Sequence, residues 1–123
     1  MANVLVGCEY SGVVRDSFRA LGHAAWSCDI LPTERGEPHI QAPVEDAIFL
    51  TDWDLIILHP PCTYLAVSGN RWYGKGKEGH HQRLKALDWT KQLWQMATYQ
   101  ARFVALENPV GVLDLPVKPQ FIQ

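Results

Sequence analysis

The chain has 123 residues, 47% of them hydrophobic and 20% charged, with a formal net charge of -2. That length and balance fit one globular domain with a buried core and leave no room for a second. A negative net charge excludes a global field that attracts nucleic acid, so a polyanionic partner would have to be held by a local basic patch.

The first predicted element is a short apolar strand over Asn3 to Val6, which runs into the turn Gly7-Cys8-Glu9-Tyr10-Ser11-Gly12. Val14, Phe18 and Leu21 then recur at helical spacing, and Gly22 is placed to end that helix. His23 to Cys28 reads as a second strand with Asp29 at its tip. Leu31 to Pro38, punctuated by proline and glycine, is loop. A short third strand is expected at His39 to Gln41, followed by a brief helix through Glu45 to Phe49.

Asp54 to Leu58 is the clearest strand, continuously apolar at its end, as expected when helices cover both faces. A polar loop from Thr63 to Gly79 leads into a long helix, His80 to Tyr99, with Ala86, Trp89, Leu93 and Met96 as its core stripe. Phe103 to Leu106 is the last strand, and an irregular tail is expected from Val110 onward. Strands alternating with helices argue for a parallel sheet with right-handed crossovers. The fold class is therefore α/β, a small doubly wound sheet of about five strands.

Cys8, Cys28 and Cys62 are too irregularly spaced for a disulfide framework or a zinc site. No apolar run approaches membrane-spanning length, and the first residues lack the order of a signal peptide, so a reducing, cytoplasmic setting is the expectation.

Two strings carry most of the chemistry: His59-Pro60-Pro61-Cys62 and Glu107-Asn108-Pro109. Each follows a predicted buried strand, so a soft nucleophile and a carboxylic acid fall at the same end of neighbouring strands, where open α/β sheets bind ligands. The two prolines before Cys62 fix the backbone into a corner that presents one side chain. A thiolate there is the strongest nucleophile among the standard side chains; the alternative is an inert buried cysteine, which is how Cys8 and Cys28 read. Glu107, beside an apolar strand end, is expected to have its pKa raised by desolvation and to donate a proton; taken without Cys62 it reads as a strand-end acid accepting backbone hydrogen bonds. His59 could assist the thiol, although a histidine closing a strand is more often structural.

The turn from Gly7 to Gly12 has the layout of a nucleotide-binding turn, but Glu9 and Tyr10 stand where the dinucleotide fingerprint prefers glycine. Glu9 would repel a pyrophosphate and accept hydrogen bonds from an ammonium or ribose hydroxyl, which favours a cationic, adenosine-bearing cofactor. A tight turn with no ligand is the plainer alternative. Asp29 is placed for ribose hydroxyls, and Glu45 or Asp46 for the adenine edge. Arg71-Trp72-Tyr73-Gly74-Lys75-Gly76-Lys77, then His80, His81, Arg83 and Lys85, interleave basic residues with aromatics and glycine. Such a loop suits phosphates and stacked bases, and a solvated charged loop is the alternative.

In their order, Gly7 to Gly12, Pro61-Cys62 and Glu107-Asn108-Pro109 resemble the cytosine carbon-5 DNA methyltransferases, and more closely a group of phage and bacterial methyltransferase-like proteins. The resemblance implies a Rossmann-like, class I methyltransferase-like domain that binds S-adenosylmethionine. It implies that Cys62 adds to carbon 6 of cytosine, Glu107 hydrogen-bonds the ring nitrogen, and Asn108 orients the loop carrying Cys62. Gly7, Glu9, Tyr10, Ser11 and Gly12, with Asp29, Ile30, Glu45 and Pro60, would line the cofactor site. Arg71, Trp72, Lys75, Lys77 and Arg83 would contact nucleic acid, and the target base would leave its stack.

The chain departs from the family at Glu9 and at Pro109, where valine is usual. It also stops before the further strands, arginine-bearing motif and target-recognition region that members carry, as expected of a fragment or minimal form, or of a subunit or dimer. With those absent, Phe103 to Leu106 is expected as an exposed edge that pairs with another copy or a partner subunit. DNA or a pyrimidine nucleotide is the expected substrate. Methylation of an exocyclic amine is a second enzymatic reading, although that chemistry favours a carboxylate or amide before Pro-Pro. A catalytically silent methyltransferase-like protein, such as a phage regulator or counter-defence factor binding protein or nucleic acid, is a third.

Overall fold

The computed structural model of the chain describes residues 1–60 and 75–107, and the backbone of 121–122. In chain order the elements are β1 (Asn3–Gly7), α1 (Val13–Ala20), β2 (Ala24–Asp29), β3 (His39–Gln41), α2 (Val44–Ile48), β4 (Trp53–Leu58), α3 (His80–Gln100), β5 (Ala101–Leu106) and β6 (Phe121–Ile122). Every strand pairing is parallel, in the order β3-β2-β1-β4-β5-β6. This is a small doubly wound, Rossmann-like α/β domain, as the alternation of elements predicts. The strand order reverses between β1 and β4, and the carboxyl ends beside that reversal are where such sheets hold ligands.

β6 amends the expected strand count. Ala105 and Leu106 of β5 pair with Phe121 and Ile122, so β5 is not the sheet edge that the sequence suggests. The two-residue β6 takes that place. The remainder of the expected tail lies outside the described residues.

β1 lies centrally and is apolar on both faces, with Val4, Leu5 and Val6 all buried. The larger core lies under α2 and α3 and includes Leu5, Ile56, Leu58, Leu93, Trp94 and Val104. The smaller core, Val4, Val6 and Ala25, lies under Val14 and Phe18 of α1. α1 reaches only part of its side of the sheet. Leu55 and Ile57 are half-buried there and Phe103 is 44% exposed. β4 is therefore continuous in sequence but alternating in burial, because among the described residues only α1 packs on its second face.

Two helices differ in detail from the sequence reading. Leu21 lies beyond the last turn of α1 and is 76% exposed, while the wholly buried residue of that helix is Arg15. Gly22 does follow the helix with a left-handed φ of 90°. On α3 the buried stripe is Arg83, Thr90, Leu93, Trp94 and Ala97, with Ala86, Trp89 and Met96 half-buried. No helix among the described residues is long and apolar enough to cross a membrane.

Arg15 ties the loop after β2 to the sheet. Its Nη1 donates to Ser27 Oγ at 3.1 Å and to the carbonyls of Gly36 and Pro38 at 2.6 and 3.1 Å. Its Nε donates to Asp16 Oδ1 at 2.9 Å. A buried charge needs this many partners to offset its lost hydration.

Candidate active site

The turn after β1 begins at a glycine for a steric reason. A Cβ on Gly7 would stand 2.6 Å from Val44 Cγ2 and 3.0 Å from Leu58 Cδ2, so only glycine lets α2 pack this closely. Cys8 follows with φ 63°, a left-handed conformation uncommon for a residue with a side chain. Gly12, at φ 79°, starts α1.

Glu9 is buried, and its carboxylate serves the helix. Oε1 accepts the Val14 N–H at 2.8 Å and the Ser11 hydroxyl at 3.2 Å, and Oε2 accepts the Arg15 N–H at 3.3 Å. The start of α1, which a dinucleotide fold offers to a pyrophosphate, is thus occupied by the protein's own carboxylate. Glu9 is the carboxylate expected from sequence to disfavour phosphate, and it stands at this helix start. It also lines the cleft described next.

At the ends of β4 and β5, Leu58 and Leu106 are register partners, so the next residues of both strands lie side by side. His59 N–H donates to Gly7 O at 3.0 Å and Glu107 N–H donates to Leu58 O at 2.9 Å. The side chains then meet, with His59 Nδ1 2.8 Å from Glu107 Oε2. His59, read from sequence mainly as a strand terminus, is the direct partner of the proposed acid. Glu107 has 51% of its side chain exposed, so it lacks the burial on which the expected desolvation rested. A cleft of about 350 Å3 brings His59 and Glu107 together with Cys8, Glu9, Tyr10, Ser11, Val13 and Val14.

A second pocket, of about 310 Å3, adjoins it through Cys8 and is lined by Asp29, Ile30, Pro43, Val44, Glu45 and Trp89. Asp29 Oδ1 accepts the Leu31 N–H at 2.9 Å, and Glu45 Oε2 accepts the Trp89 indole N–H at 3.1 Å. Of the two acids considered after β3, Glu45 is in the pocket, while Asp46 is exposed and not among its lining residues. Burial, followed by the nearby charge of Asp29, pushes the thiols of Cys8 and Cys28 up to about 12, which fits their reading as inert.

The structure brings Glu9, Tyr10 and Ser11 to the cleft with Glu107, and Asp29, Ile30 and Glu45 to the adjoining pocket. Gly7 and Gly12 shape the turn, and Pro60 is buried. Lys75 and Lys77 are exposed, whereas Arg83 is buried on the core side of α3, away from the surface where the sequence reading put it. Cys62, Asn108, Arg71 and Trp72 lie outside the described residues. Trp89, Pro43 and Val44 were missed as pocket residues. An aromatic on a helical stripe reads as core, and only the crossing of α3 over α2 turns it towards a cavity.

Among the described residues no cluster of His, Cys, Asp or Glu could hold a metal ion. No protein-family profile, curated protein or solved structure matches this chain.

Proposed function

We propose that the protein is an S-adenosylmethionine-dependent methyltransferase-like protein acting on cytosine in DNA, with Cys62 as the nucleophile. The observation that carries this reading is the pair of pockets joined at Cys8, one bearing Asp29 and Glu45 and the other the His59–Glu107 pair. The first suits an adenosyl group. It has aliphatic and indole walls, acids for hydroxyl or amine donors, and no basic residue among its described lining residues to favour phosphates. When bound, the cofactor supplies a methyl group on a sulfonium.

The protein's own residues would do the rest. Asp29 accepts ribose hydroxyls and Glu45 the adenine edge, while Ile30, Val44 and Trp89 exclude water. Glu107 hydrogen-bonds the cytosine ring nitrogen, which makes carbon 6 more open to attack by the Cys62 thiolate. Lys75 and Lys77 are available to DNA phosphates, and the base must leave the duplex stack to expose its ring face.

The test combines a methyl-transfer assay on cytosine-containing DNA with trapping on 5-fluorocytosine DNA. The expected result is transfer together with a covalent adduct that is lost in Cys62→Ala. Transfer that survives Cys62→Ala points to amine methylation, and absence of both cofactor binding and transfer ends the enzymatic reading. One observation favours a catalytically silent binding protein instead. The α1-side groove of about 370 Å3, which runs from His59 and Glu107 over Val14, Phe18, Leu55, Ile57 and Ala105, offers apolar surface to a partner.

A further inference from the structure

From the same cleft we infer that His59 is a positioning residue for Glu107. Its neutral imidazole donates Nδ1–H to Oε2 and so directs the other carboxyl oxygen, Oε1, to the base. The chemistry rests on the cytosine reading, whereas the geometry rests on described residues alone.

Both backbones are fixed before the side chains meet, through the His59 N–H bond to Gly7 O and the Glu107 N–H bond to Leu58 O. The 2.8 Å separation of Nδ1 and Oε2 is a charge-assisted hydrogen-bond length with room for one proton. His59 Nε2 is buried with no hydrogen-bond partner among the described residues. A buried N–H without an acceptor is costly, so the favoured tautomer leaves Nε2 bare and places the proton on Nδ1. The imidazole is then a fixed donor to Glu107.

The proton balance follows. Glu107, whose half-exposed carboxyl can take a proton from solvent, enters the step with that proton on Oε1 and accepts Nδ1–H at Oε2. As a nucleophile adds to ring carbon 6, the Oε1–H bond breaks and an N–H bond forms at the ring nitrogen. Glu107 becomes a carboxylate, and its new charge is stabilised by the Nδ1–H that His59 keeps throughout. Carbon 5 then gains the methyl group, a base removes the proton that carbon 5 carried, and as the nucleophile leaves the ring nitrogen returns its own proton to Oε1. His59 therefore neither gains nor loses a proton.

Two measurements test this. In 15N NMR spectra of the full chain without cofactor, His59 should show a protonated Nδ1 and a bare Nε2, a preference that weakens in Glu107→Ala. In methyl transfer to cytosine DNA, His59→Leu should lower kcat about 10- to 100-fold, the expected effect of losing one charge-assisted bond in the transition state. Cofactor affinity by calorimetry should be unchanged. His59→Asn, whose amide nitrogen falls where Nδ1 was, should recover most of the loss. A wild-type His59 protonated on Nε2 alone, a His59→Leu variant as fast as wild type, or equal impairment of Leu and Asn variants would overturn the inference and leave the methyltransferase reading standing. If the wild type transfers no methyl group, that reading fails, and the tautomer alone decides the positioning role.

Discussion

Glu9 shows how a single side chain determines what a turn can bind. A carboxylate that accepts two amides of α1 makes the helix start self-sufficient. The neighbouring Cys8 lines both pockets but is chemically quiet, because burial and Asp29 disfavour its thiolate. In a Cys62→Ala background, alkylation of Cys8 and Cys28 is expected to be slow at neutral pH and to rise about tenfold per pH unit in alkali. The sign for stability is also set. A thiol raised in the folded state from 9.0 to about 12 favours folding below the lower value. Stability should therefore fall as pH climbs from 9 towards 12, and urea titrations across that window would check it. Fast labelling of both thiols at pH 8 would contradict the burial that holds them protonated.

At the scale of elements, β4 separates what patterning shows from what packing decides. Leu55, Ile56, Ile57 and Leu58 are alike in sequence, yet Ile56 and Leu58 are fully buried under α2 and α3 while Leu55 and Ile57 face the partly roofed side. Ile56→Ala is expected to cost about 2–5 kcal/mol, as for other buried aliphatic truncations. Leu55→Ala should cost clearly less, since part of its surface already meets water. Chemical denaturation of the two variants would measure the difference, and equal losses would mean that the α1 side is covered in solution. The element boundaries were readable to within a residue or two, because glycine, proline and short apolar runs mark them. Arg15 was not readable, since an arginine among helical polar residues gives no sign that a loop 20 residues downstream will supply its acceptors.

For the whole molecule, the two pockets lie on the carboxyl edge where strand order reverses, so a bound adenosyl ligand would bridge the β1 turn, β2 and α2. Such a ligand stabilises the folded state by mass action, by about 2.7 kcal/mol at a concentration one hundred times its Kd. S-adenosylhomocysteine should accordingly raise Tm, and Asp29→Ala should reduce the rise. An unchanged Tm at millimolar ligand would count against an adenosyl pocket. Sequence alone determined the α/β class, the order of β1 to β5 and the helices between them, and the placing of Glu107 at the end of a strand beside that of His59, because hydrophobic period and turn chemistry are local properties of the chain. Tertiary structure decided that β5 is paired, that Glu9 caps a helix, that Arg83 is buried and that His59 meets Glu107. Those outcomes depend on which groups from distant segments arrive within hydrogen-bond reach, and no local pattern encodes such distances.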